Sequence, residues 1–175
     1  MAIAQKPELV KLIVGVIFSN EGVLAQAKLK LIRKFGPIDF QSAIMPFVYT
    51  DYYEKEMGPG LKRQFLSFCK LVQPEALATI KRSTNRLETA LYAKSGPFKR
   101  TINLDPGYIT AAKLVLATCK DYTHRIYLGK GIFAEVTLQF HNGSFAPWPW
   151  TYPDYTTAAY LDICNAIRRI YLKQV

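Results

Sequence analysis

Cysteine, histidine and tryptophan are scarce in this chain, at three, two and two residues among 175. Cys69, Cys119 and Cys164 are odd in number, far apart and set among apolar neighbours, with no CxxC pair. They read as reduced core residues of a cytosolic protein, and with only His124 and His141 beside them a structural zinc site is not expected. No run approaches the roughly 20 apolar residues that a membrane span requires, so no membrane partner is expected and the localisation reads as cytoplasmic. The apolar run Leu12 to Phe18 follows two lysines, but it is short and leads into Ser19-Asn20-Glu21 without a cleavage pattern; a buried strand fits it better than a signal peptide. Whole classes of chemistry also lack their signatures. There is no GxxxxGK[ST] phosphate loop, NKxD guanine reader, GxGxxG dinucleotide turn, HExxH metal helix or GxSxG nucleophile elbow.

Acidic residues are in short supply as well: 13 Asp and Glu against 23 Lys and Arg, a formal charge of +10. That excess raises the local concentration of phosphates and nucleic acids, although scattered cations also serve simply to keep a surface soluble. What is abundant is tyrosine, with eleven residues beside ten phenylalanines. Many rings therefore carry a hydroxyl that needs water, a partner or a ligand. A hydrophobic share of 50% and a charged share of 21% are those of a folded globular chain, and the length fits one domain over 1–175.

The patterning predicts a strand over Leu12 to Ser19. A helix follows, capped by Asn20, with Leu24, Ala27, Leu31 and Phe35 inward and a stop at Gly36-Pro37. Phe40 to Tyr49 reads as a second strand, with Pro46 marking an edge or bulge, and Leu61 to Val72 as a third. Pro74 opens a second helix with a stripe of Leu77, Ile80, Thr84, Leu87 and Leu91, Lys81 and Glu88 mostly facing elsewhere, and an end near Ser95-Gly96-Pro97. Arg100 to Leu104, Lys113 to Cys119, His124 to Leu128 and Ile132 to Phe140 read as strands. Asp105-Pro106-Gly107-Tyr108 reads as a β-turn between the first two. The last helix runs from about Tyr155 to Lys173, with Tyr160, Ile163, Cys164, Ile167 and Tyr171 inward. The expected fold is α+β: a mainly antiparallel sheet with helices packed on it, a ferredoxin-like βαββαβ core extended by a β-hairpin and a C-terminal helix.

The pair THRIYL-GKG-IFAEVTL allows a register argument. A two-residue loop of Lys130-Gly131 would pair Arg125 with Val136 and mix charged with apolar residues on both faces. A three-residue loop, Gly129-Lys130-Gly131, pairs Arg125 with Glu135, Tyr127 with Phe133 and Thr123 with Thr137, leaving Ile126, Leu128, Ile132, Ala134 and Val136 as a core face. The second register is expected, with Gly131 at positive φ. Arg125 and Glu135 are then either an exposed ion pair or the floor of a polar cleft.

Five stretches carry a resemblance: TDYYEKEMG (Thr50 to Gly58), NLDPGY (Asn103 to Tyr108), KDYTHRIYL (Lys120 to Leu128), GIFAEVTL (Gly131 to Leu138) and WTYPDY (Trp150 to Tyr155). Over nearly its full length the chain resembles an uncharacterised prokaryotic family known only as a domain of unknown function, some of whose members carry a GTP-binding label. That family brings no established activity with it. The label is not supported by a phosphate loop in this sequence, since Gly129-Lys130-Gly131 lies in a predicted hairpin and not between a strand and a helix.

The same stretches gather the residues suited to a site: Asp51, Tyr53 and Glu56; Asn103, Asp105 and Tyr108; His124, Arg125, Tyr127 and Glu135; Asp154; and Arg63 among the cations. The leading expectation is a polar cleft beside the Arg125 and Glu135 strands that binds an anionic small molecule, a nucleotide or a phosphorylated metabolite. In an enzymatic version Asp105 and Glu135, with Asp51 and Glu56, gather a divalent cation and His124 carries a proton. Each has a plainer reading: Asp105 as a turn residue, Asp154 as a helix cap or first-turn acid, His124 as a packed ring. An RNA-binding or protein-interaction module is the alternative from another class, suggested by the charge and the tyrosines. Trp148 and Trp150 either stack a base or plug a stiff loop onto the core. Oligomeric state is left open.

Overall fold

A computed structural model describes residues 2–93 and 97–175. Its described residues form one nine-stranded sheet and four α-helices. β1 (Lys11–Phe18) is buried at every position, as its unbroken apolar run demands. α1 (Glu21–Phe35) is capped as expected: the Asn20 side chain accepts from the Val23 N–H at 3.0 Å, and Gly36, at φ 93°, donates to the Ile32 carbonyl. The single strand expected over Phe40 to Tyr49 is instead two short ones, β2 (Ile38–Gln41) and β3 (Met45–Pro46). Both pair with β4 (Lys62–Phe68) at the sheet's edge, where Pro46 is tolerated. α2 (Glu54–Met57) is a short helix where a loop was expected.

After a 3-10 turn at Pro74–Ala76, α3 spans Leu77–Ala90. It closes before the Ser95-Gly96-Pro97 stop, of which Ser95 and Gly96 lie outside the described residues. β5 (Ile102–Ile109), β6 (Lys113–Thr118), β7 (Ile126–Gly129), β8 (Ile132–His141) and β9 (Ser144–Pro147) complete the sheet. β9 was not expected. A second 3-10 turn at Pro153–Thr156 leads into α4 (Ala158–Tyr171). The sheet order is β2-β4-β1-β5-β6-β8-β7, every pairing antiparallel, with β9 on the far end of β8.

Alternation along the strands divides the core in two. Leu12, Val14, Val16 and Phe18 of β1 pack with α1 and with Ile80 of α3 on one face. Ile13, Phe65, Ile109, Leu114 and Leu116 meet Tyr160, Cys164 and Ile167 of α4 on the other. Cys164 is the buried cysteine; Cys69 and Cys119 correct the expectation, since each lies just past a strand end and is exposed.

The largest correction is NLDPGY, which is not a turn. β5 runs straight through it, paired with β1 from Ile102 to Ile109. Two features make the DPG triplet fit a strand. The Leu104 N–H points away from β1 to the Glu88 carboxylate at 2.7 Å. Pro106, two residues on, lies on the same side, so its missing donor falls where β6 does not pair. β6 joins β5 only from Gly107 onward, and a Cβ on Gly107 would lie 2.4 Å from the Val115 carbonyl oxygen. The sheet therefore forks between β5 and β6. α3 fills the fork from one side, with Lys81 Nζ donating to the Leu104 carbonyl at 2.9 Å and to Asp105 at 3.2 Å. That role buries Lys81 and Glu88, which periodicity had turned outward.

The hairpin takes the expected register, with Tyr127 opposite Phe133 and Ile126 opposite Ala134. Its tip differs in detail: Gly129 pairs with Ile132, and Gly129, Lys130 and Gly131 all have positive φ. The expected core face is buried only on the β8 side. Ile132 and Ala134 lie under Leu77 and Ala78 of α3, whereas Ile126 and Leu128 on edge strand β7 are 70% and 41% exposed, beyond that cover.

Candidate functional site

On the α4 face, where the sheet forks, a cavity of about 480 Å³ opens between β4, β5, β6, β8 and two loops. Its floor is Arg63 of β4, Asp105 of β5, Leu116 to Thr118 of β6 and Glu135 of β8; its walls are Phe47, Tyr49, Tyr52 and Tyr53 on one side and Tyr152 to Tyr155 on the other. The first wall is held by Met57 of α2, buried with Ile17, Phe47 and Leu61. The second is fixed by threonine: the Trp148 N–H donates to Thr151 Oγ1, and that hydroxyl donates to the Thr137 carbonyl at 2.6 Å. Polar residues thus reach a buried position on strands, while the tyrosines arrive on loops braced by a few core contacts.

Arg63 is buried at 3% exposure and donates through Nη2 to Asp154 at 2.8 Å. Its guanidinium carbon sits 5.1 to 5.8 Å from the ring centres of Phe47, Phe65, Tyr155 and Tyr160. Nε and Nη1 have no hydrogen-bond partner among the described residues and face this cage of rings. Space for it comes from Gly15 of β1, since a Cβ there would lie 2.6 Å from Nη1. Burial alone would lower the Arg63 pKa, but Tyr155 and Asp154 outweigh it and raise it. Asp154 does not cap α4 but stands in the first turn of the 3-10 segment Pro153–Thr156; burial pushes its carboxyl above the ordinary range despite the guanidinium beside it.

Glu135 is the second anchor, at 2% exposure. One carboxylate oxygen, Oε2, accepts from Arg125 Nε at 2.8 Å and from His124 at 3.1 Å, which assigns the proton to His124 Nε2 because a carboxylate only accepts. Arg125 also donates to the Lys120 carbonyl at 3.0 Å and to the Tyr152 hydroxyl. Its ends are thereby all engaged within the protein. Asp105 accepts from Lys81 and from Asn103 Nδ2 at 2.6 Å, and Asn103 in turn accepts from Arg100.

Of the residues singled out from sequence, Tyr53, Arg63, Asp105, Glu135 and Asp154 line the cavity, with His124, Arg125 and Asn103 hydrogen-bonded just behind it. Asp51 lies instead along an open groove with Ile44 and Val48, and Glu56 is turned to an ion pair with Arg100 at 2.7 Å. Tyr108 packs on the opposite face near Val115, and Tyr127 stands exposed against Phe133. Among the described residues no group of three or more His, Cys, Asp or Glu is placed to hold a metal ion, and no helix is long and apolar enough to cross a membrane.

The walls were the part missed. Tyr49, Tyr52, Tyr152 and Tyr155 line the cavity together with Tyr53. Four rings carry a protein cation nearby: Tyr52 with Lys120 Nζ at 4.0 Å from its centre, Tyr53 with Arg100 at 5.6 Å, Tyr152 with Arg125 at 5.9 Å and Tyr155 with Arg63 at 5.7 Å. Burial raises the phenol pKa values of Tyr53, Tyr155 and Tyr152, the last to about 12 with help from the Glu135 charge. These hydroxyls stay protonated. The signals for the wall tyrosines in the sequence were the high tyrosine count and the stretches TDYYEKEMG and WTYPDY, which hold all of them but Tyr49.

No curated protein and no solved structure matches this chain. A family model does, over residues 8–171, which holds both loops, the forked strands and α4. The chain belongs to the family described as "Domain of unknown function (DUF4416)".

Proposed function

We propose that the cavity at the sheet fork binds an anionic small molecule of the size of a nucleotide or a phosphorylated metabolite. The observation that supports this reading is the ring of four tyrosines, each backed by a protein cation. A cation on a ring's face draws electron density from it, which makes the O–H a better donor. Burial keeps the Tyr53, Tyr152 and Tyr155 phenols protonated, so they cannot repel an anion as phenolates. The three cavity carboxylates are each engaged: Asp154 by Arg63, Glu135 by Arg125, Asp105 by Lys81. Lys120, at the mouth, donates to the Tyr52 hydroxyl at 2.6 Å and has no carboxylate partner among the described residues. It is the cation free to meet a phosphate or carboxylate. The volume of about 480 Å³ suits one small molecule.

Thermal shift and native mass spectrometry against inorganic phosphate, mononucleotides and sugar phosphates, with and without Mg²⁺, test it. Anionic ligands are expected to raise the melting temperature, and Lys120→Ala and Tyr53→Phe to weaken the effect several-fold each, about 0.5–1.5 kcal/mol per lost hydrogen bond. No shift with any anion at millimolar concentration, or a preference for cations, sinks the reading.

A further inference from the structure

We infer that the ligand of this cavity is one end of a single-stranded nucleic acid, and that the aromatic surface beside the cavity carries the nucleotides that follow. The inference rests on the anion-binding reading of the cavity and adds the partner's class.

The observation is a stack outside the cavity wall. Trp148 and Trp150 lie with ring centres 5.2 Å apart at 6°, and His124 continues the pile 5.4 Å from Trp150 at 14°. Tyr122 closes it edge-on, 5.4 Å from His124. Trp150 is pinned by its indole N–H to the Val136 carbonyl at 3.1 Å. The stack is not a sealed plug: Tyr122 is 66% and Trp150 39% exposed, and with Thr123 and Pro149 they border an open shelf of about 710 Å³. Exposed rings held flat and rigid are what bases stack on without sequence preference.

Shelf and cavity are coupled by one atom. Glu135 Oε2 receives His124 from the shelf side and Arg125 from the cavity side, and Arg125 reaches Tyr152 on the cavity wall. One cation marks the same path. Lys120 stands at the cavity mouth, and between Cys119 and Phe133 the only acid is Asp121, whose carboxylate is turned back on the Tyr122 N–H at 2.8 Å. A terminal phosphate or nucleotide in the cavity would leave its next base against Tyr122, the exposed end of the pile, beside the open edge of Trp150, whose two faces Trp148 and His124 already take, with the backbone passing Lys120. A duplex keeps its bases stacked on each other and offers no free face to this shelf. The single strand is therefore the form that fits.

Both tryptophans of the chain are in the stack, so intrinsic fluorescence reports on this surface directly. The probes are a ten-nucleotide oligouridylate, the matching oligothymidylate, the same sequence as a duplex, and uridine monophosphate. The oligonucleotides are expected to quench the tryptophans, to bind at least about tenfold more tightly than the mononucleotide, and to weaken as salt rises. Tyr122→Ala, at an exposed position, is expected to cost oligonucleotide binding about fivefold or more and to leave the mononucleotide unaffected. Trp150→Phe should retain the fold and lose part of the quench. If the mononucleotide binds and the oligonucleotide binds no better, or the duplex binds equally well, or Tyr122→Ala changes nothing, the inference is overturned while the cavity reading stands. If neither probe nor any other anion binds, both fall. A ribose or deoxyribose preference between the two oligomers identifies which nucleic acid it is.

Discussion

Removing Asp154 tests whether Arg63 is held as the geometry implies. In Asp154→Ala the guanidinium loses its only carboxylate partner among the described residues, 2.8 Å away, while remaining charged, since arginine does not give up its proton at any working pH. The four surrounding rings still offset part of that charge, yet they replace no hydrogen bond. Breaking a buried pair by deleting one partner costs about 3–5 kcal/mol. For a chain of this length that corresponds to a fall in Tm of roughly 6–20 °C. Arg63→Met behaves differently, because the Asp154 carboxyl left behind already sits above the ordinary range and takes up a proton as the pH falls. Its penalty should shrink between pH 7 and 4. Removing both partners should cost less than the sum, with a coupling of about 1–3 kcal/mol. Urea unfolding of the four proteins at both pH values decides the matter. An Asp154→Ala variant within about 0.5 kcal/mol of wild type, or strict additivity in the double variant, refutes the account of this cage.

Gly15→Ala places a methyl 2.6 Å from Arg63 Nη1 and should lower both stability and anion binding, by about 1–3 kcal/mol in urea unfolding. Pro106→Ala should cost less than about 1 kcal/mol, because the proline occupies an open strand side and not a turn corner; a larger loss returns DPG to a turn role. Glu88→Ala strands the buried Leu104 N–H and removes a carboxylate from Arg100, for about 1–3 kcal/mol by the same assay. On pH, burial raises the carboxyl pKa values of Asp154 and Glu88 above their unfolded values of about 3.9 and 4.3. Their contribution is then complete below about pH 4 and is lost as pH rises through the folded values, so the urea midpoint should fall over that window. The fall should flatten in Asp154→Asn combined with Glu88→Gln.

Elements whose signals are local were legible in the sequence. The Asn20 cap, the Gly36 stop and the α4 stripe each depend on residues within a turn or two of one another, and all lie where periodicity placed them. The hairpin register followed from keeping the apolar residues of both strands on one face, and Ile126 does pair with Ala134 and Tyr127 with Phe133. The failures share a cause of the opposite kind. Asp105-Pro106-Gly107 carries strong turn chemistry, but eight residues of pairing with β1 override it, and no local pattern reports a partner some ninety residues away. Lys81 and Glu88 read as solvent-facing because their reason for burial, the unpaired edge of β5 at the fork, exists only once the sheet is assembled.

The cavity is the extreme case of that dependence. Of its floor residues only Glu135 came from a readable strand alternation; Arg63 was one cation among many, and Asp105 sat in a segment that read as a turn. Its tyrosines come from two loops about a hundred residues apart and carry no period of their own. They are brought to one place by Met57 in its apolar nest and by Thr151 on the β8 backbone, neither of which looks functional in sequence. Such anchoring residues control the site without touching a ligand. Thr151→Val should therefore loosen the Tyr152 wall and weaken anion binding several-fold while the Tyr53 wall holds. Equal binding by that variant would mean that the second wall is positioned by α4 alone.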